Sequence, residues 1–369
     1  MQQLNTFPHP ELLVDDQDYI TIAIDLDDLS AYSEKDVLLL ENNLKEARQS
    51  TKDKGSGWEE QISSVRKDAR LLLTGTSSLI IYITEKESYY YHIDTAVVNT
   101  IMFGPEPYLK PLIEHFQFAN DYHLLVLDQD RARIFELGMD RFKEIRDGEW
   151  PIHLTEALGE EKNGGELSYG SFSGQGGDGQ HGFHGHNETS SEKEIDRDNF
   201  FRYVDNYLMT YLGQDCETSL ILYALKENQA AYRAISKYNP LLEEGIALSA
   251  AKVKDEEIAK QGQDFIAELK EKRLGALINR FKETSPEFRV DDNIEEIKTL
   301  ALENRIEELL IVKNMQDEYQ ITKANTESAK IEKALKEIVL ALLKASGKVY
   351  ILNEDQVSQG LMISARLRY

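Results

Sequence analysis

A glycine-rich segment at residues 163–187 constrains the fold of this 369-residue chain more than any other feature of its sequence. Nine of the chain's 22 glycines lie within it. Glycine has no Cβ and loses more conformational freedom on folding than any other residue, so a run this rich in glycine disfavours both helices and strands. We therefore predict one long loop here. A loop of this length is either a functional element or a flexible linker.

Strand and helix patterns alternate on both sides of this loop. Alternating apolar and polar residues with β-branched side chains predict strands, and apolar residues at helical spacing predict helices. Together they predict an α/β fold, and more than one domain is expected because a single core rarely exceeds roughly 250–300 residues. The predicted strands cover about residues 18–27, 78–84, 88–93, 122–127, 132–137, 219–224, 309–312 and 348–352, and the predicted helices about 33–50, 58–72, 196–212, 255–283, 294–304 and 327–345.

Two breaks in this pattern predict three domains. The first domain covers residues 1–118. The middle domain, residues 119–238, contains a hairpin, the glycine-rich loop, a helix and a buried strand. The third domain, residues 239–369, begins at Asn239-Pro240, because a proline pushes the preceding residue out of helical geometry.

The composition disfavours several classes of protein. Asp and Glu number 66 against 42 Lys and Arg, a formal charge of −24, whereas a generic nucleic-acid binder depends on Lys and Arg. The N-terminal residues form neither a basic start nor an apolar signal segment, and no apolar run approaches the roughly 20 residues of a membrane helix. The single cysteine, Cys216, excludes an internal disulfide. We expect a soluble cytoplasmic protein with no membrane partner and no cofactor.

The residues of the loop leave several kinds of chemistry open. A solvated linker is one interpretation of the glycine and serine content. The spacing of His181, His184 and His186 allows three imidazoles to face one metal ion, although a glycine-flanked loop holds ligands loosely. No Gly-x-x-x-x-Gly-Lys-Ser/Thr motif is present, so a nucleotide-phosphate loop is disfavoured.

Residues 176–180, Gly-Gly-Asp-Gly-Gln, resemble the Gly-Gly-Gln tip of archaeo-eukaryotic class-1 peptide-chain release factors, placed on a long loop just before a predicted helix. Further stretches are similar to the bacterial release-factor-like proteins of that superfamily, so the resemblance covers most of the chain. They are the hairpin at 121–137, the segment Asn239-Pro240-Leu241-Leu242, the strand at 308–312 and the C-terminal residues 365–369.

The resemblance implies an RNase-H-like middle domain that carries the loop, a C-terminal α/β/α domain of the Pelota type and a divergent N-terminal domain. It also implies that the loop enters the ribosomal peptidyl-transferase centre and promotes hydrolysis of the peptidyl-tRNA ester. Gln180 takes the place of the family's glutamine and Gly179 that of the adjoining glycine, with Gly176 and Gly177 supporting the loop. The implied partners are the ribosome and peptidyl-tRNA. No stop-codon motif is identified in the first domain, which favours the rescue of stalled ribosomes.

The loop departs from the family pattern in sequence and in charge. Asp178 interrupts the glycines before Gln180, and Gly174-Gln175 forms a rival register. Residues 160–198 contain nine acidic and three basic residues, which is unfavourable beside ribosomal RNA. The alternative is therefore a non-catalytic ribosome- or protein-interaction module with a degenerate tip. A metal-binding protein or nuclease is the third hypothesis.

Charged residues outside the loop are further candidates. Four arginines are predicted RNA contacts, because a guanidinium group binds phosphate well: Arg131, Arg133, Arg366 and Arg368. Asp25, Asp27 and Asp28 are candidates for a divalent-cation site, although such a cluster is more often a solvated strand end. Asp128 and Asp130 are candidates for a nuclease site, although the preference of Asp for turns explains them as well.

Overall fold

The computed structural model describes residues 1–26, 33–68, 76–118, 121–138, 141–158, 186–213, 216–313, 326–357 and 360–368, with the backbone alone for 186–193 and 326–329. The chain divides into two compact units. The first unit combines residues 1–118 with 272–369, and the second consists of residues 119–271. None of the helices in the described ranges is both long and apolar enough to cross a membrane.

The N-terminal part of the first unit is a five-stranded sheet in the order β1-β4-β3-β2-β5. All neighbouring strands are antiparallel except β1 and β4. Isoleucines of the central strands pack against two helices on one face, and residues such as Ile80 and Tyr82 pack into a second cluster on the other face, so these strands are apolar at almost every position. The elements are β1 (Gln2–Gln3), β2 (Tyr19–Asp25), α1 (Glu34–Thr51), α2 (Ser56–Lys67), β3 (Ser78–Ile83), β4 (Ser88–Ile93), β5 (Thr100–Gly104) and α3 (Lys110–Phe116).

The second unit is built on a mixed sheet in the order β11-β10-β6-β7-β8, with β9 paired to β7. The strands β6, β7 and β8 are antiparallel, whereas β10 and β11 run parallel to β6. Three helices cover one face and the start of a fourth covers the other. The elements are β6 (Tyr122–Leu127), β7 (Arg131–Leu137), β8 (Phe142–Glu144), β9 (Ile152–His153), α4 (Leu154–Leu158), α5 (His186–Leu212), β10 (Leu220–Tyr223), α6 (Lys226–Ile235), β11 (Leu241–Ile246) and α7 (Asp255–Glu283).

The C-terminal part of the first unit is a four-stranded sheet in the order β12-β15-β13-β14. The C-terminal half of α7 packs on one face, where Leu277 and Phe281 meet Leu310 and Tyr350. The elements are β12 (Arg289–Asp291), α8 (Ile294–Leu302), β13 (Ile306–Lys313), α9 (Thr326–Lys344), β14 (Lys348–Asn353) and β15 (Ile363–Leu367).

One hydrophobic cluster joins the two ends of the chain into the first unit. It contains Tyr82 and Tyr91 from the N-terminal sheet, and Ile297, Ile311 and Ile338 from the C-terminal elements. Because these residues exclude water together, residues 1–118 and 272–369 share one core.

The predicted α/β fold is confirmed. The helix expected at 255–283 has the bounds of α7, whereas β5 and β11 were not predicted. Strand β11 lies beyond the expected boundary at 238/239 and pairs in parallel with β10 in the sheet of the second unit. Its sequence, Leu-Leu-Glu-Glu-Gly-Ile, does not alternate regularly, so its strand character comes from pairing with β10 rather than from local pattern.

Candidate functional site

The predicted catalytic tip lies outside the described residues, which stop at Leu158 and resume at His186. This holds for Gly179 and Gln180, for their supporting glycines Gly176 and Gly177, for the rival pair Gly174-Gln175, and for His181 and His184. His186 begins α5 with its backbone alone described. The described part of the site is therefore its frame, formed by β9 and α4 before the loop and by α5 after it.

Helix α5 is anchored firmly in the second unit. Phe200, Phe201, Val204 and Leu208 are fully buried on the sheet, at the i, i+4, i+8 spacing that gives a helix one apolar face. The α4 residues Leu154, Ala157 and Leu158 pack against the same cluster. Helix α4 before the loop and helix α5 after it therefore pack on the same hydrophobic core.

Three tyrosines of α5 hold a turn at residues 148–150, which we call the clasped turn. The Tyr203 hydroxyl donates to Glu149 Oε2 at 2.6 Å, and the backbone N–H of Glu149 donates to the Tyr207 hydroxyl at 2.7 Å. The hydrogen bond to Glu149 raises the pKa of Tyr203. The Trp150 ring meets the rings of Tyr207 and Tyr211 edge-on, with centroids 5.6 and 6.5 Å apart. The clasped turn is followed at once by β9 and α4.

Gly148 is required by the geometry of the clasped turn. Its φ of +64° lies in the left-handed region, and a Cβ at this position would lie 2.1 Å from the Tyr207 hydroxyl oxygen. Both the backbone conformation and the close approach of the tyrosine exclude a side chain. Sequence reasoning missed the clasped turn, although the Asp147-Gly148 pair and the four-residue spacing of Tyr203, Tyr207 and Tyr211 are signals of it.

A buried carboxylate ties α5 to the end of α6. Asp205 is 2% exposed and accepts hydrogen bonds from the Tyr232 hydroxyl at 3.0 Å, the Ser236 hydroxyl at 2.6 Å and the Lys237 backbone N–H at 2.9 Å. A buried ionised carboxylate is stable only when its lone pairs are used in this way. Burial and this neighbour keep the pKa of Tyr232 well above its usual range.

The turn between β6 and β7 contains two of the predicted acidic residues. The Gln129 backbone N–H donates to Asp128 Oδ1 at 2.9 Å, and the Leu154 N–H donates to the Asp130 carbonyl at 2.9 Å. These bonds are ordinary turn contacts, and the second one links the turn to the start of α4. Within the described residues, no group of three or more His, Cys, Asp or Glu side chains is arranged to hold a metal ion. Asp25 ends β2, while Asp27 and Asp28 lie outside the described residues.

The predicted RNA contacts Arg131 and Arg133 lie on β7. The Arg133 guanidinium donates to Asp255 Oδ1 at 2.7 Å and lies 4.9 Å from the centre of the Phe135 ring. Arg131 has a buried Nε with no hydrogen-bond partner, and it lies opposite His153 of β9. RNA contact at these positions stays a prediction, and at Arg133 phosphate would compete with the bond to Asp255.

The other two arginines belong to the first unit. Arg366 Nε donates to Glu308 Oε2 at 2.9 Å, and Arg366 Nη2 lies 2.8 Å from Glu307. Arg368 donates to the backbone carbonyls of Ile306 at 3.0 Å and Ala345 at 2.8 Å. The structure therefore does not gather the four predicted arginines into one unit, and it gives three of them hydrogen-bond partners within the protein.

A half-buried histidine lies on the sheet of the second unit. His123 of β6 is opposite Glu136 of β7, and its Nδ1 atom is buried with no hydrogen-bond partner among the described residues. Burial lowers the pKa of His123 below the ordinary 6.5, and the acidic neighbours Glu136 and Asp121 only partly oppose this. The imidazole is therefore harder to protonate in the folded chain than in the unfolded chain.

The comparison with protein families finds one match, which lies within the second unit. Residues 120–268 match the model of bacterial archaeo-eukaryotic release factor family 6. The match covers the sheet, the helices and the glycine-rich loop of this unit, so the resemblance to release factors is confirmed over these residues. No curated protein matches the chain in sequence.

Several solved structures align with the chain at low similarity. The archaeal translation termination factor aRF1 is 13% identical, with 95% of this chain and 92% of that chain covered at a TM-score of 0.23. A chain in a model of ribosome-bound archaeal Pelota and ABCE1 is 12% identical, with 77% of this chain and 72% of that chain covered at a TM-score of 0.40. S. cerevisiae Dom34, a translation termination-like factor, is 12% identical, with 79% of this chain and 80% of that chain covered at a TM-score of 0.36.

Proposed function

We propose that this protein, whose residues 120–268 form a release-factor-like segment of bacterial archaeo-eukaryotic release factor family 6, acts on the ribosome and promotes hydrolysis of peptidyl-tRNA. The observation that carries the proposal is that the family match spans the glycine-rich loop with its tip residues Gly179 and Gln180. Rescue of stalled ribosomes in the cytoplasm is the proposed setting, because the first domain carries no identified stop-codon motif.

The topology of the second unit supports this proposal. Three antiparallel strands, followed by two strands parallel to the first and by helices on both faces, form the arrangement expected of an RNase-H-like domain. The loop lies between α4 and α5, both packed on that domain's core. We further propose that the C-terminal sheet with α8 and α9 is the Pelota-type domain, and that residues 1–118 are the divergent N-terminal domain.

The proposed reaction is attack of water on the ester carbonyl carbon of peptidyl-tRNA. The carbon–oxygen bond to the ribose then breaks, and the ribose oxygen takes up a proton. A backbone N–H beside Gln180 donates to the developing oxyanion, and the Gln180 amide orders the attacking water. The glycines allow the backbone to approach the ester closely, while ribosomal RNA supplies the rest of the active site.

A frame that fixes both ends of the loop supports this role. Effective catalysis requires reacting groups to be held in place, and a long loop whose ends diffuse independently would lose that advantage. The clasped turn and the buried face of α5 hold the two flanks on one core.

A non-catalytic interaction module is the second candidate. It is favoured by Asp178 within the tip and by the nine acidic residues against three basic ones at 160–198. Negative charge of this density opposes insertion into RNA, and protonation of His181, His184 and His186 offsets it only below about pH 6.5.

Stalled ribosome–nascent-chain complexes separate the two candidates. We expect wild type to sediment with ribosomes and release the peptide. Gln180→Ala should slow release by about 10²–10³-fold, as loss of a transition-state contact does, and Gln175→Ala is the matched control for the rival register. Ribosome binding without release assigns the interaction module, and absence of both rejects the ribosomal role. Zinc retained after chelation by wild type but not by His184→Ala would favour a metal-binding protein.

A further inference from the structure

The edges of the three sheets differ in how they are protected. An edge strand exposes unpaired backbone N–H and C=O groups, and proteins usually protect it with charges, prolines, short length or a covering group. Among the edge strands that the structure describes, every one except β5 follows this rule: β1 and β9 have two residues each, β8 carries Lys143 and Glu144, β11 carries Glu243 and Glu244, β12 carries Arg289 and Asp291, and the Gln117 amide bonds both the N–H and the carbonyl of Ile351 in β14.

Strand β5 has none of these protections among the residues that the structure describes. Its sequence, Thr100-Ile101-Met102-Phe103-Gly104, contains no charged residue and no proline, and the uncharged stretch runs from residue 95 to 105. Among the described residues β5 forms a ladder with β2 alone. Phe103 is 43% exposed and Val98 beside the strand is 50% exposed.

The exposed side chains of β5 continue a hydrophobic cluster. Ile101 lies opposite Ile22 and Phe103 lies opposite Ile20, so both point to the face on which these isoleucines pack against α1 and α2. The apolar cluster therefore reaches β5 at Ile101, and the half-exposed Phe103 lies on the same face of the strand. A strand added to this edge would bury Phe103 and extend the same cluster.

We propose that this added strand is β5 of a second copy of the chain, paired antiparallel about a two-fold axis at Met102. In this register Ile101 lies opposite Phe103 of the second copy, and Thr100 lies opposite Gly104. Aromatic and β-branched residues form favourable cross-strand pairs, and no like charges face each other within the strand. The strand is thus complementary to itself, as a two-fold interface requires.

The charge of the protein favours this edge over the rest of the surface for self-association. Each copy carries a formal charge of −24, so two copies repel each other. An uncharged strand is where they approach at least electrostatic cost. Since added salt screens the repulsion but leaves backbone pairing and apolar burial intact, the dimer strengthens as ionic strength rises. A five-residue strand presents less than the roughly 800 Å² per partner of a standard interface, so the dimer is weak.

Sedimentation equilibrium of the full chain tests the proposal. The average mass should rise above the 42.2 kDa of one chain with concentration, and more so at about 0.5 M than at about 0.05 M salt. Phe103→Lys should keep the chain monomeric. Leu302→Lys is the matched control, because Leu302 is 64% exposed at the end of α8 and away from the edge.

Cross-linking tests the register independently. In a Cys216→Ser background, Met102→Cys places two thiols directly opposite each other across the axis, within the Cα separation that a disulfide accepts. Oxidation with copper phenanthroline should then give a covalent dimer. Val98→Cys is the control, because residue 98 would lie opposite residue 106 and should not cross-link. Circular dichroism checks that each variant is folded.

Two results would overturn the proposal. The first is a monomer at every concentration and salt level, with no cross-link at position 102. The second is a monomeric wild type that retains a different protein through this edge, where Phe103→Lys retains none, since the edge would then serve another partner.

Discussion

Gly148 shows how one residue decides whether the clasped turn forms. A non-glycine residue in the left-handed region costs about 1–3 kcal/mol, and the overlap with the Tyr207 hydroxyl adds to it. We expect Gly148→Ala to lower the free energy of unfolding by about 2–4 kcal/mol in urea denaturation. Gly213→Ala separates the two causes, because Gly213 has φ +85° and no atom of the described residues lies within 4 Å of its Cβ position. It should lose only about 1 kcal/mol, and equal losses would exclude the tyrosine overlap.

His123 makes the stability of the fold depend on pH. Its pKa is lowered in the folded state, so above pH 6.5 both folded and unfolded forms are neutral and no stability is lost. As pH falls below 6.5 the unfolded chain takes up a proton that the folded chain does not, and stability decreases. We expect wild type to lose more stability between about pH 7.5 and 5 than His123→Phe. Urea denaturation at several pH values measures this, and parallel pH curves would contradict it.

At the scale of elements, helix α5 organises the site. One of its faces packs on the sheet, its tyrosines hold the clasped turn, and Asp205 bonds the end of α6. The segments on both sides of the loop are therefore held by one helix, which makes three different kinds of contact.

Asp205 supplies the contact between α5 and α6, and its removal leaves three donors without their acceptor. We expect Asp205→Ala to lower the free energy of unfolding by about 2–4 kcal/mol. Asn206→Ala changes an exposed neighbour on the same helix and should leave stability nearly unchanged. Thermal or urea unfolding gives the comparison. An equal effect of both variants would mean that helix propensity, rather than the buried carboxylate, is responsible.

At the scale of the whole molecule, the division into two units predicts which fragments fold. The hydrophobic clusters of residues 119–271 are complete within that unit, whereas residues 1–118 share a core with 272–369. We expect the fragment 119–271 to unfold cooperatively in urea and the fragment 1–118 to lack a cooperative transition until mixed with 272–369. Circular dichroism follows both. Cooperative unfolding of isolated 1–118 would contradict the shared core.

Sequence reasoning reached the features that local chemistry determines. The α/β class and the bounds of α7 follow from apolar periodicity. Most of the predicted glycine-rich loop lies outside the described residues, and its last two residues, His186 and Asn187, begin α5. The resemblance to release factors follows from the Gly-Asp-Gly-Gln tip, because a motif of residue types is visible in the sequence without knowledge of the fold. The loop's role in catalysis stays a prediction.

Only the tertiary structure decided which distant segments meet. The bond from Glu149 to Tyr207, the partners of Arg133 and Arg366, and the core shared by Tyr82 and Ile338 each join residues far apart in the chain. Such contacts depend on how whole faces pack, and periodicity shows that a face is apolar without showing what covers it. Strand β5 is another case. The sequence does not show that this segment pairs with β2, nor that it lies at the edge of the sheet.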